Sequence, residues 1–145
     1  MLPEWVIEYL KIPFKEKGRD RTGLDCYGLV RLVFQEQRQI ELPSYTDAYE
    51  TTTDAKSIRE LQLREMRILE AAHDELEARW RPIPLTEVRL FDGLIIRIKG
   101  DPIHFGLVLD DQYFLHTMRG TWTVAERWNG LAWKSRVIGA VRYGV

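Results

Sequence analysis

The feature that most constrains the fold is a change of hydrophobic texture near Pro84. Before it, apolar residues recur at three- and four-residue intervals. Leu29, Val30, Val33 and Phe34 follow Cys26 in this way, and Met66, Leu69, His73, Leu76 and Trp80 step along a second segment. That spacing is the signature of helices with one buried face. After it come short runs rich in strand formers at 94–98, 104–109, 113–116 and 137–143. Helices followed by strands, with Asp110-Asp111 as a tight-turn signal, predict an α+β domain with an antiparallel sheet.

Local signals sharpen this order. Trp5, Val6, Tyr9 and Leu10 suit a short amphipathic helix ended by Ile12-Pro13. A polar loop with Gly18 and Gly23 follows. Asp25 is placed to cap a helix over 26–37. The stretch from Thr53 to Trp80 reads as one or two charged surface helices packed by a single stripe. No repeat or interdomain linker interrupts the 145 residues, so a single domain is expected.

Composition removes several function classes. Twenty-one basic and 22 acidic residues leave a net charge of −1, without the excess that draws a protein to nucleic acid. No apolar run is long enough for a membrane span, and the first residues lack the pattern of a secretory signal. One cysteine, Cys26, rules out an intrachain disulfide and argues against a cysteine-built zinc site. No metal or organic cofactor is expected.

The candidate chemistry gathers on three residues. A thiol at a helix N-terminus feels unpaired N–H groups and the positive end of the dipole, which predicts a lowered pKa for Cys26. With a two-residue turn at Asp110-Asp111, facing residues would sum to about 221, bringing His116 close to His104. One ring can then act as base and the other can orient it. The bland alternative is that Cys26 is small core filler and the histidines pack or cap. His73 reads as a stripe residue of its helix.

Gly23-Leu24-Asp25-Cys26-Tyr27-Gly28-Leu29-Val30 resembles the nucleophile segment of the NlpC/P60 cysteine peptidases. Ile12-Pro13-Phe14 with Gly18 is similar to the segment before it, and Phe91-Asp92-Gly93-Leu94-Ile95 to a strand entry of that family. His104-Phe105-Gly106-Leu107-Val108-Leu109, Phe114-Leu115-His116-Thr117 and the stretch from Trp133 to Ala140 resemble later strands. The resemblance implies a papain-like fold, with N-terminal helices and the nucleophile helix packed on the antiparallel sheet. A helical insertion would occupy residues 44–82. It further implies Cys26 as nucleophile, His104 as base and His116 as orienting residue of a cell-wall peptide hydrolase. The motifs look most like compact phage-tail members, which would carry the enzyme to the wall without a signal peptide and open it locally for DNA entry. Peptidoglycan stem peptide and phage tail proteins are the expected partners.

Arg19, Arg21 and Arg119 are candidates to pair with carboxylates of such a peptide, and Asp25 and Tyr27 flank the thiol. Trp122 and Trp128 either line a groove or join the core. The sequence departs from the family pattern at Phe14, where many members carry a tyrosine, at Tyr27, where a small serine is usual, and in the insertion. Two alternatives follow: a tail-assembly protein with little or no activity, and an amidase or acyltransferase with the same three residues.

Overall fold

The computed structural model describes residues 2–71 and 79–144. A 3₁₀ turn, Glu4–Glu8, takes the place of the first expected helix. Next come a two-stranded hairpin, β1 (Arg19–Asp20) and β2 (Gly23–Leu24), and then helix α1 (Cys26–Arg38). Helix α2 (Ala55–Ala71) follows an irregular connection. The strands β3 (Arg79–Ile83), β4 (Gly93–Ile98), β5 (Asp101–Val108), β6 (Tyr113–His116), β7 (Val124–Arg127) and β8 (Val137–Gly144) complete the order.

Among the described residues, β3 to β8 form one antiparallel sheet in the order β3-β8-β4-β5-β6-β7. One face packs on α1. There Leu29, Val30, Val33 and Phe34, all fully buried, meet Leu107, Leu109 and Leu115. Burial of each such side chain contributes about 1.5–3 kcal/mol, so the α1 stripe fixes the helix on the sheet. The other face carries Leu94, Ile96, Val108, Phe114 and Trp133. This is the expected α+β architecture.

Two local expectations need correction. Trp80 lies in β3, not in a helix: its strand pairs with β8, Trp80 opposite Tyr143, and its ring packs edge-on to Phe34 and Phe105. The apolar stripe was read past the point where the chain turns extended. His73 and Leu76 lie outside the described residues. The β5–β6 connection is also one residue longer than a two-residue turn. Leu109 N–H bonds Tyr113 O at 2.9 Å, while Asp110 Oδ1 accepts the N–H groups of Gln112 and Tyr113 at 2.8 and 2.7 Å. Facing residues therefore sum to 222, as in Leu107 opposite Leu115. An even sum puts even-numbered residues of both strands on one face, and His104 and His116 are both even.

The loop before α1 is compressed against the helix start. A Cβ on Gly28 would come within 2.0 Å of Gly18 O, and one on Gly18 within 2.2 Å of Gly23 O. Only glycine admits that approach, which accounts for the glycines flanking Cys26.

Candidate active site

Asp25 builds the seat of the thiol. Its side chain is fully buried and accepts the Gly28 N–H at 2.7 Å, an N-cap that starts α1 at Cys26. It also accepts Lys17 N–H at 3.2 Å, Arg19 Nη1 at 2.7 Å and the hydroxyl of Tyr49. Arg19 donates as well to Ser44 O at 2.7 Å and to Tyr49 Oη at 2.7 Å. Arg19 and Asp25 are thus framework residues that hold the loop, helix start and residues 44–49 together.

Cys26 Sγ sits where β6 has parted from β5. Pairing of the two strands runs only through Leu107 and Val108, so Phe105 N–H is free to bond the sulfur. The Tyr27 N–H reaches it too. These donors and Arg19 pull the thiol pKa down, but burial, followed by the charge of Asp25, pushes it up to about 12. The lowered pKa expected from the helix terminus is corrected accordingly: desolvation outweighs the two N–H donors and Arg19.

The histidines do meet. His104 Nε2 lies 2.9 Å from His116 Nδ1, and His116 Nε2 lies 2.5 Å from Glu126 Oε2. Phe114 stacks on His116 at 4.1 Å between ring centres, and Trp133 closes edge-on at 4.9 Å. Trp133 Nε1 also donates to Glu126 Oε2 at 3.2 Å. Burial lowers the pKa of His104 to about 3, with help from His116, and that of His116 to about 4. Both rings are therefore neutral near pH 7. The chain of contacts then fixes each hydrogen. A carboxylate only accepts, so His116 Nε2 carries its proton and His116 Nδ1 is an acceptor. His104 Nε2 must donate to it, and His104 Nδ1 is left bare.

Glu126 escaped the sequence reading. Val124-Ala125-Glu126-Arg127 is short and poor in strand formers, so β7 gave no periodic signal. Once β7 pairs with β6, Phe114 faces Glu126 and His116 faces Val124, which makes Glu126 a diagonal neighbour of His116. Tyr49 was missed for a similar reason: it belongs to an irregular segment.

Cys26 and His104, each 6% exposed, line one cavity of about 320 Å³. The other site candidates lie differently. Tyr27 is on the cavity wall, with its hydroxyl turned to Pro43 O at 2.8 Å. Arg21 pairs with Glu36 at 2.6 Å, ten residues and about 15 Å along α1 from Cys26. Arg119 pairs with Glu16 at 2.5 Å. Phe14 bridges Leu24, two residues before Cys26. Trp122 is exposed beside a depression shared with His116 and Glu126, whereas Trp128 packs into the second core. Among the described residues no cluster of His, Cys, Asp or Glu could hold a metal ion, and no helix is long and apolar enough to cross a membrane.

A helix-borne cysteine over a sheet with paired histidines can be compared with known proteins. The model of the NlpC/P60 family matches residues 11–142, nearly the whole chain. The chain belongs to the NlpC/P60 family. Solved structures agree on the fold. The NlpC/p60 domain of peptidoglycan hydrolase SagA is 15% identical with a TM-score of 0.58, over 94% of this chain and 92% of that one. An NlpC/P60 family protein from Bacillus cereus is 15% identical with a TM-score of 0.63, over 99% of this chain and 41% of its own length. A lipoprotein-like NLP/P60 protein from Staphylococcus aureus is 18% identical with a TM-score of 0.58, over 94% and 38%. The chain thus spans about two fifths of the latter two proteins. No curated protein matches it.

Proposed function

We propose that the chain is a cysteine hydrolase of bacterial cell-wall peptides, with Cys26 as nucleophile, His104 as base and His116 as the residue that orients it. The supporting observation is the hydrogen-bonded row from Glu126 through His116 to His104, ending on a ring that shares a cavity wall with Cys26. The peptidoglycan hydrolase in the structural comparison supports the substrate class. The phage-tail setting rests on the resemblance of the motifs to compact tail members.

The neutral thiol and neutral imidazole define the order of events. A carbonyl enters beside Cys26, His104 Nδ1 takes the thiol proton, and sulfur adds to carbon. The imidazolium is held by donating through His116 toward the Glu126 carboxylate. The Cys26 N–H, at the open start of α1, is the candidate donor to the oxyanion. His104 then gives its proton to the leaving amine, and a water deprotonated by His104 releases the acid. Base catalysis on demand replaces a thiolate formed at rest.

One observation favours a second reading, a structural member with a quiet thiol: burial holds Cys26 protonated at rest. Digestion of purified cell walls separates the two. Wild-type protein should release peptides, and Cys26→Ala should lose at least about a thousandfold in rate. Equal release by both proteins, or none by the wild type, would overturn the hydrolase reading.

A further inference from the structure

The cavity beside Cys26 carries more information than the row of histidines. Its floor is the α1 face of the sheet, including Ile95, Ile103 and Val141, and its roof comes from the segment before and within α2, including Tyr45, Ile58 and Leu61. No Lys, Arg, Asp or Glu lines it among the described residues. Tyr49, Thr52 and Gln62 are turned onto the protein, to Asp25, to Glu16 at 2.9 Å and to Pro102 O at 3.0 Å, and the buried indole N–H of Trp80, which makes no hydrogen bond among the described residues, is a neutral donor on the wall. A carboxylate placed here would be desolvated with no cation among the described lining residues to pair with, at a cost of several kcal/mol that one neutral N–H does not offset, whereas an apolar group would lose only water.

We infer that this cavity is an acyl-group pocket, and that the amide or ester attacked by Cys26 carries an uncharged, apolar group on its carbonyl side. The inference rests on the assignment of Cys26 as nucleophile and narrows its substrate class. The order of bond changes selects the acyl half. The Sγ–C bond forms, the C–O or C–N bond breaks, and the leaving group departs with the proton held by His104. That half needs an open route, while the acyl half stays on sulfur until water adds, takes the carbonyl carbon and returns the proton to Cys26. A recess with apolar walls suits the part that stays. Arg19, Arg21 and Arg119 are all paired within the protein, consistent with a pocket that recognises no carboxylate.

The test uses p-nitrophenyl esters with acetyl, butanoyl, pentanoyl and hexanoyl groups, and the singly charged glutaryl ester as the acidic match of pentanoyl. Acylation of Cys26 is followed by intact-protein mass spectrometry and kcat/KM by nitrophenol release. The ratio kcat/KM should rise about fourfold per added methylene, and the glutaryl ester should react at least about a hundredfold more slowly than the pentanoyl ester. Gly139 faces Ile95 across β8 and β4, and a Cβ there meets nothing within 4 Å. Gly139→Leu should therefore fill the cavity and bring the hexanoyl-to-acetyl ratio toward one. Acylation of Cys26 without a length preference, or with the glutaryl ester preferred, overturns the pocket assignment alone. No acylation by any ester overturns the nucleophile assignment and the pocket with it.

Discussion

Two regions meet at the thiol and use polar groups in opposite ways. In the helix-and-sheet scaffold, polar groups are joined end to end toward the cavity: Glu126 to His116 to His104. In the segment leading into α2, they are turned away from it, as with Tyr49 on Asp25 and Thr52 on Glu16. The scaffold therefore sets the protonation state of the paired histidines, and the segment before and within α2 sets the surface that the cavity presents. Buried polar rows orient hydrogens only when every member is paired, whereas an apolar wall selects by size and charge. The two properties can therefore be changed separately, except at Tyr49, where one hydroxyl ties the segment before α2 to the cap of α1.

The scaffold side should give the largest effects. Removing the orienting ring with His116→Ala should cost about a hundredfold in kcat with little change in KM. His116→Gln should retain more, since an amide oxygen can still accept from His104 Nε2. Glu126→Ala should cost about tenfold and Glu126→Gln less, because the amide oxygen can accept from His116 Nε2. Equal losses in the paired variants would mean that bulk, not hydrogen orientation, is what these positions supply.

An intermediate effect is expected at the junction. Tyr49→Phe removes a buried hydroxyl that donates to Asp25 and accepts from Arg19. A hydrogen bond to a charged group contributes about 1.5–3 kcal/mol, so the variant should unfold in less urea. Asp25 keeps its bonds to Gly28, Lys17 and Arg19, so kcat should fall less than in the histidine variants. The smallest effect belongs to the exposed side of α2. Arg59 and Asp101 form an exposed pair at 2.9 Å, and Arg59→Ala should change stability by at most about 0.5 kcal/mol. A larger change there would show that α2 is more tightly coupled to the sheet than this exposed pair implies.

The scaffold was legible in the sequence because its signals are local. Helical spacing after Cys26, the Asp25 cap and the glycines around it specify α1, and apolar runs specify β4, β5, β6 and β8. His104 and His116 were brought together by strand order alone. What escaped depends on exact register or on tertiary contact. A connection one residue longer than expected placed both histidines on one face. Glu126 lies on a strand that forms because β6 offers it an edge. The thiol pKa is set by how far α1 sinks into the fold, a packing property that no cap motif encodes. Helix α2 was legible as a stripe but not as a cavity wall, and Trp80 reads as part of that helix because the stripe continues in register into β3.

The protonation of His104 can be read without any substrate. Its folded pKa lies below the value near 6.5 of an unfolded chain, so the folded state binds fewer protons in mild acid. Stability from this group is complete above about pH 6.5 and is lost as pH falls toward the folded value. The most direct measurement is a ¹⁵N NMR titration of the ring nitrogens in the folded protein from pH 8 to 5. The account predicts a neutral His104 throughout, protonated at Nε2 and bare at Nδ1. A His104 that titrates near 6.5, or that carries its hydrogen on Nδ1, would contradict it.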